Sequence, residues 1–529
     1  MLLSGPICCG KSSLADLLED RYSAVRLKTN VIIEELDPSV KKHRKSLQSA
    51  GERLDRKTNG EWVCNALIRH DDQLAGFELV IVDAVRIREQ IWAIRRAYGS
   101  RVTHIHLKAA DEELRKRYKS RKGSISEFDD YEKVRKSATE KGVGALEDIA
   151  DVVIKTDRCT ELDVLVRVSA HLGLYPRSLD PVVDVMIGGQ YGSEGKGNTA
   201  AHIAPEYDYL VRVGGPNAGH KVYGKPVKTF HHLPSGTDRC EAKVLLGPGA
   251  VINPESLIKE IAMCQLSQER LAIDPQAMII SPSDISTEVD ELQSTISSTA
   301  QGVGRAEARR INERGVDEDG QKGCVLARDV DALKGYVQDT KEILDHAFSN
   351  GEKVLIEGTQ GTSLSLYHGE YPYVTSRDTT VSGCLAQSGV APKRVRRVLM
   401  VCRTYPIRVG GPSGPMSQQI PLTQIAKRAG LNYEALRKTE RTSTTNRRRR
   451  IAEFDWEQLR RSSIINGPTD IALTFVDYLD SANEHARRFE QLSKETINFI
   501  EEVERVSGAP VSLISTRFHY RNIIDRRVW

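Results

Sequence analysis

Residues 5–12 read Gly-Pro-Ile-Cys-Cys-Gly-Lys-Ser, which satisfies GxxxxGK[ST] at every position. Gly5 and Gly10 let the backbone wrap a phosphate, and a following helix adds unsatisfied N–H groups and a favourable dipole. In that setting Lys11 reaches the β- and γ-phosphates, and the Ser12 hydroxyl ligates Mg²⁺. Leu79-Val80-Ile81-Val82-Asp83 is an apolar run ending in a carboxylate, an arrangement that places Asp83 near the metal. The plainer reading, an aspartate that merely ends a strand, stands beside it. A second glycine loop, Gly188-Gly189-Gln190-Tyr191-Gly192-Ser193-Glu194-Gly195-Lys196-Gly197, has a different spacing but the same phosphate-cradling physics. Downstream, Gly214-Gly215-Pro216-Asn217-Ala218-Gly219 holds His220, a group able to move protons at neutral pH. Alone, such a histidine is more often structural. Arg447 to Arg450 are consecutive arginines, which by themselves read as a solvated face or a nucleic-acid patch.

These groups need rigid elements to hold them. Met1–Ser4 and Val182–Ile187 read as strands feeding the two loops, and Ser13–Asp20 as the helix after the first. Further apolar runs at Leu79–Val82 and Val102–Leu107, with an amphipathic stretch over Glu112–Lys122, predict βα units and a parallel sheet. The fold class is therefore α/β. Gly173–Pro181 holds two prolines and a glycine, which predicts a domain boundary. The expected plan is a smaller P-loop domain over residues 1–176 and a larger α/β domain over 181–529. The chain's 529 residues are 39% hydrophobic and 28% charged, which excludes disordered and fibrous classes. Its 76 basic and 72 acidic residues leave a net charge of +4, too balanced for a dedicated nucleic-acid binder. No apolar run suits a bilayer crossing or a secretory signal. Nine scattered cysteines, never spaced CxxC, predict a cytoplasmic chain with reduced thiols.

The first region resembles the small nucleoside-monophosphate kinases. Asp83-Ala84-Val85-Arg86 looks like their DGVR, with alanine for glycine. The resemblance implies a phosphate-clamping lid at Arg115, Arg117 and Arg121, a run that also reads as a solvated helix face. It implies acceptor-phosphate contacts at Lys28 and Arg86. Nucleotide binding follows from the loop itself; a domain that binds without transferring phosphate is the alternative.

From residue 182 onward the chain resembles the adenylosuccinate synthetase family, in its short form. GQYGSEGKGN at 189–198, GGPNAGH at 214–220, EGTQGT at 357–362, YPYVTSRDTT at 371–380 and STTNRRRR at 443–450 match that family's signatures in order. The resemblance implies a two-step ligation. A nucleoside triphosphate phosphorylates the 6-oxygen of a purine monophosphate, and the L-aspartate amine then displaces that phosphate. By resemblance His220 is the acid at the 6-oxygen, Gln360 contacts the same oxygen, and Lys196 with Gly192, Gly195 and Gly197 holds the triphosphate. Asn217, Thr299 and Thr375 hold the purine monophosphate, and the Gly219 carbonyl is a Mg²⁺ ligand. Thr444, Thr445, Arg447 and Arg449 become the aspartate loop, whose guanidiniums suit two carboxylates. A homodimer is implied, with Arg309 or Arg310 as the arginine that reaches the partner's monophosphate.

Three departures stand out. Most members carry Asp where this chain has Ser193; the Asp serves as N1 base and Mg²⁺ ligand, and a hydroxyl cannot act as that base at neutral pH and is left as the weaker Mg²⁺ ligand. Phage 2-aminoadenylosuccinate synthetases, which act on dGMP, resemble this chain in having serine there. The smaller side chain makes room near N1 and C2, where guanine has its extra amino group. Second, the donor-base segments read Thr474-Phe475-Val476-Asp477 and Ser515-Thr516-Arg517-Phe518, keeping Asp477 but losing the family's lysine, so that GTP, ATP and dATP all remain candidate donors. Third, Ser363–Tyr367 lacks the family's two aspartates, and Asn446 replaces a loop glycine. The favoured reading is a ligase acting on dGMP or GMP. An IMP-specific synthetase and a catalytically impaired nucleotide sensor are the alternatives.

Overall fold

The computed structural model describes residues 1–120, 131–135, 142–175, 180–315, 323–441 and 447–528. The chain divides into two compact units, Met1–Arg177 and Ser178–Trp529. No helix of the described residues is long and apolar enough to cross a membrane.

In the smaller unit, β1 (Leu2–Ser4), β2 (Ala24–Lys28), β3 (Leu79–Asp83), β4 (His104–Lys108) and β5 (Val152–Lys155) form a parallel sheet in the order β2-β3-β1-β4-β5. Parallel neighbours require helical crossovers, so the sheet is covered on both faces. Leu3 packs with Leu14, Leu18, Ile105 and Leu165 on one side. Leu2, its neighbour in sequence, packs with Ile32, Trp62, Val82 and Ile91 on the other. The expected strands and helices appear here with boundaries moved by a few residues. The helix after the phosphate loop runs Lys11–Arg21, and the charged stretch forms Asp111–Ser120.

The larger unit is built on a ten-stranded sheet. Its strands are β6 (Val183–Gly188), β7 (Tyr209–Gly214), β10 (Lys243–Ile252), β11 (Leu271–Ile273), β12 (Met278–Ile279), β13 (Val354–Glu357), β14 (Val395–Arg403), β17 (Asp470–Thr474), β18 (Val511–Ser515) and β19 (Ile523–Asp525). Their order is β11-β10-β7-β13-β6-β14-β17-β18-β19, with β12 also on β10; only β19 runs antiparallel to its neighbour. Two small antiparallel pairs stand apart, the hairpin of β8 (His220–Val222) with β9 (Lys228–Phe230) and the longer-range pair of β15 (Ile407–Val409) with β16 (Arg449–Ile451). β6 is buried along its whole length, as a strand covered on both faces must be. The segments after the C-terminal ends of β6, β7, β13, β14 and β17 gather at one edge of the sheet, where ligands bind in open parallel sheets.

Gly214 ends β7 with φ 89, and a Cβ there would lie 2.3 Å from Arg377 Nη1 and 2.5 Å from Thr359 Oγ1. Arg377 is only 3% exposed and cannot swing out of the way. Gly214→Ala should therefore destabilise the larger unit by about 3 kcal/mol or more, combining the left-handed backbone cost with overpacking. Urea unfolding of the full-length protein would show this as a lowered midpoint for that unit; an unchanged midpoint would contradict it.

Candidate functional site

In the larger unit the glycine loop leads into the helix Lys196–Ile203, whose N-cap, Gly195, offers no side chain to its free N–H groups. Glu194, 1% exposed, organises the loop from within. Its Oε1 accepts from the backbone N–H of Gln190 at 3.1 Å and Gly192 at 2.7 Å, and its Oε2 binds Lys196 Nζ at 2.7 Å. Lys196 is thereby held in a buried ion pair at the floor of the loop. It lines a cavity of about 270 Å³ together with Gly192, Ser193, Gly195 and Gly197. The Ser193 hydroxyl has no hydrogen-bond partner among the described residues and faces this cavity half-buried.

His220 enters the same cavity from the loop after β7. Its Nδ1 meets the Glu357 carboxylate, which also receives Arg212 Nη1 at 2.9 Å, Ser235 N at 2.7 Å and Ser235 Oγ at 2.6 Å. Arg212 Nη1 lies 3.0 Å from the same Nδ1. Guanidinium only donates and carboxylate only accepts, so Glu357 is the shared acceptor and the ring hydrogen sits on Nδ1. That leaves Nε2, buried and without a partner, as the open atom. Burial holds the ring's pKa well below the imidazole value, the Arg212 charge adds to this, and Glu357 opposes it. The resting ring is neutral. For Glu357 burial acts upward, but the Arg212 charge and the bonds from His220 and Ser235 hold the carboxyl low.

Other expected residues converge here. Gln360 has its Oε1 bound by Thr359 Oγ1 at 2.7 Å, and its buried Nε2 has no partner. Asn217 Nδ2 donates to Thr375 Oγ1 at 3.2 Å, while its Oδ1 is buried and unpaired; Thr299 Oγ1 reaches the Asn217 carbonyl at 3.4 Å. Asn217, Gly219, Thr299, Gln360, Thr375 and Arg449 all line the cavity. Arg447 is described but does not line it, and Thr444, Thr445 and Asn446 lie outside the described residues. Asp477 does not line the cavity; its Oδ1 is buried and unpaired, and burial pushes its carboxyl up to about 7. Its neighbour Phe475 and the more distant Phe518, 5.0 Å apart between rings, do line the cavity. Arg309, expected as an arm toward a partner, is instead fixed in its own chain by Asp284 at 2.7 Å and the Gly323 and Ile279 carbonyls. Arg310 likewise binds the Gln276 carbonyl at 2.9 Å.

The structure adds residues that the motifs did not mark. Arg403 at the end of β14 is bound by Glu440, lies 3.8 Å over the Phe475 ring, and keeps Nε and Nη1 unpaired. Glu440 also takes Arg449 Nη1 at 3.1 Å and Tyr478 OH at 2.6 Å. Arg408 stacks on Tyr191 at 4.7 Å, and Asn198 donates to the Phe518 carbonyl. No local motif marks Arg403, Arg408 or Glu440 in the sequence, since the Arg403–Glu440 pair spans 37 residues and Tyr191 lies far along the chain from Arg408.

In the smaller unit a cavity of about 1310 Å³ is lined by Gly10, Lys11, Ser12, Lys28, Asp83, Arg86 and Arg117. Lys11 Nζ donates to the carbonyls of Gly5 at 2.7 Å and Pro6 at 2.8 Å. Asp83 Oδ2 takes Arg26 Nε at 2.9 Å and Arg26 Nη2 as well. Arg115 pairs with Glu132, and Arg117 with Glu113 and Thr156; Arg121 lies outside the described residues.

The family model "Adenylosuccinate synthetase" matches residues 185–319 and 326–484, more than half of the chain. This chain belongs to the adenylosuccinate synthetase family. It is a ligase of that type. The synthetases of Archaeoglobus fulgidus and Methanocaldococcus jannaschii are each 37% identical to it, over 65% of this chain and 98% and 96% of theirs. A fully ligated adenylosuccinate synthetase from Plasmodium falciparum, 22% identical, shares the fold with a TM-score of 0.57 over 65% of this chain and all of its own. The succinoaminodeoxyadenylate synthetase of cyanophage S-2L, solved with dGMP and with dATP as an energy donor, is 26% identical with a TM-score of 0.55, covering 66% of this chain and 96% of its own. A second family model, "AAA domain", matches residues 1–146.

The buried rings make a pH dependence. Burial pushes His232 down to about 3, and His220 is lowered in the same way. Unfolded imidazoles take up a proton near pH ~6.5 while these do not, so stability should fall as pH drops below about 6.5. Urea midpoints at pH 7 and 5.5 would show the loss, and His232→Gln should reduce it. An equal loss in that variant would count against the assignment.

Proposed function

We propose that the larger unit joins L-aspartate to C6 of dGMP or GMP, consuming a nucleoside triphosphate and giving a 2-aminoadenylosuccinate. Ser193 carries this reading. Its unpaired hydroxyl faces the cavity where most members of the family place a carboxylate. The shorter side chain leaves space beside purine C2, and it brings no charge against the 2-amino edge. The dGMP bound to the cyanophage enzyme supports the same choice of substrate. The archaeal relatives, 37% identical and named adenylosuccinate synthetases, favour the second reading, IMP as substrate.

The cavity suits the two-step chemistry. A 6-oxo group departs only once phosphorylated, and the charge built on that oxygen needs donors. Gln360 Nε2 is an unmatched donor for it. His220 is neutral at rest, and an anionic oxygen or phosphoryl group arriving at Nε2 would raise its proton affinity, turning the ring into the acid at that oxygen. Lys196 would hold the triphosphate; Asn217, Thr299 and Thr375 the monophosphate; Thr444, Thr445, Arg447 and Arg449 the carboxylates of aspartate. Phe475, Asp477 and Phe518 would receive the donor base. Among the described residues no three His, Cys, Asp or Glu side chains gather to hold a metal. A Mg²⁺ that draws most of its ligands from phosphates and water, as that ion does, still fits, with Ser193 Oγ and the Gly219 carbonyl as protein donors. When bound it would screen the charge of the transferring phosphoryl group. Assembly as a homodimer belongs to the same proposal, through an arginine other than Arg309.

Phosphate release by the full-length protein with Mg²⁺ and L-aspartate tests the reading, crossing IMP, GMP and dGMP against GTP, ATP and dATP. We expect dGMP or GMP to be preferred over IMP by about tenfold or more, and Ser193→Asp to reverse the order. Turnover with IMP alone would establish the second reading. No turnover on any substrate, with nucleotide affinity intact, would make the unit a sensor.

A further inference from the structure

One carboxylate joins three segments of the larger unit. Glu440, the residue after the helix Tyr433–Thr439, accepts on Oε1 from Arg403 Nη2 and from Tyr478 OH at 2.6 Å, and on Oε2 from Arg449 Nη1 at 3.1 Å. Arg403 ends β14, Arg449 opens β16, and Tyr478 lies in the turn after β17. The Glu440 side chain is 3% exposed and does not line the cavity, whereas Arg403, Arg449 and Phe475 do. Arg403 lies 3.8 Å over the Phe475 ring with Nε and Nη1 unpaired, and Arg449 Nε is unpaired as well. Burial acts upward on the Glu440 carboxyl, but the Arg403 and Arg449 charges and the Tyr478 bond hold it low, at about 2. At neutral pH it is therefore one buried negative charge between two guanidiniums. Each guanidinium spends one nitrogen on Glu440 and keeps at least one N–H unmatched.

We propose that Glu440 is a positioning residue shared by two subsites of the ligase: through Arg449 it sets the affinity for L-aspartate, and through Arg403 on Phe475 it sets the affinity for the base of the triphosphate donor. The assignment rests on the ligase reading of the cavity, whichever purine that ligase takes. A guanidinium already anchored on one edge loses fewer rotamers when a carboxylate or a base arrives at the other. Freed from Glu440, Arg449 gains attraction for aspartate but loses that pre-organisation. Its side chain is 14% exposed, so water screens the attraction and the loss of orientation outweighs it. Arg403, 1% exposed, would keep a buried charge with no counter-charge, and it must then move off the Phe475 face. Asn217, Thr299 and Thr375, which hold the purine monophosphate in that reading, bond to one another and not to Glu440.

Glu440→Gln makes a discriminating variant. Its amide has one acceptor oxygen, its NH₂ must face one of the two guanidiniums, and neither orientation restores the charge. Arg403→Met is the companion, since it leaves Glu440 bonded to Arg449 and Tyr478 and keeps a hydrocarbon over Phe475. The experiment uses the full-length protein with Mg²⁺, L-aspartate and whichever of IMP, GMP or dGMP and of GTP, ATP or dATP turn over fastest. The succinylated product is followed by chromatography while each substrate is varied in turn. Glu440→Gln should raise the KM for aspartate and for the donor by about tenfold or more, with the monophosphate KM within a factor of about two. Arg403→Met should raise the donor KM alone. Glu440→Asp keeps the charge with a shorter reach, should raise the same two KM values by smaller factors, and replaces the glutamine variant if that one does not fold. A purely structural role would move all three KM values together or none of them. An unchanged or lowered aspartate KM in Glu440→Gln, a monophosphate KM that rises with it, or an aspartate KM raised by Arg403→Met would each overturn the proposal and leave the ligase in place. No turnover by the unaltered protein would overturn the ligase reading, and this assignment with it.

Discussion

Glu357 and Arg212 stand opposite each other in register on the neighbouring strands β13 and β7, both nearly sealed from water. Two charges removed from solvent are tolerable only when paired and fully hydrogen-bonded, and most of this site can be read as the means of meeting that requirement. Glu357 draws in Ser235 and His220; Arg212 reaches on to the carbonyls of Ala218, Phe230 and His231. One ion pair thus ties the loop after β7 and the hairpin of β8 and β9 to the centre of the sheet. The same bonds fix the His220 tautomer and turn its free nitrogen toward the cavity. Chemistry and stability share a single arrangement, because the carboxylate that orients the imidazole is also the one that neutralises the guanidinium.

The pattern recurs at lower rank. Glu194 gathers Lys196 and two loop N–H groups, and Glu440 gathers Arg403, Arg449 and Tyr478. In each case a buried carboxylate holds a cation at the cavity wall, leaving donors such as the Arg403 and Arg449 Nε atoms unmatched. A pocket assembled in this way is short of acceptors, and phosphates and carboxylates are the groups that supply them.

The phosphate loops, the βα order and the chemically distinctive residues were legible because each is local. Gly10-Lys11-Ser12 and Gly195-Lys196 act through the helix that starts where they stand, and a strand buried on both faces must be apolar nearly throughout. Arg403, Arg408 and Glu440 were not legible. Nothing in their neighbourhoods distinguishes them from surface charges, and their roles depend on partners tens to hundreds of residues away. Arg309 shows the converse, since the family resemblance suggested an arm toward another chain and its bonds to Asp284 hold it at home.

By itself, the sequence determined the family of the larger unit, the presence of two phosphate loops, and the serine at 193 where a carboxylate is usual, because these reside in the order and identity of neighbouring residues. Only the tertiary structure decided that His220 is neutral with its Nε2 open and that Arg449 is shared with Glu440. Protonation, pairing and vacancy depend on burial and on strand register, and both exist only after residues distant in the chain have been brought within a few ångströms of one another.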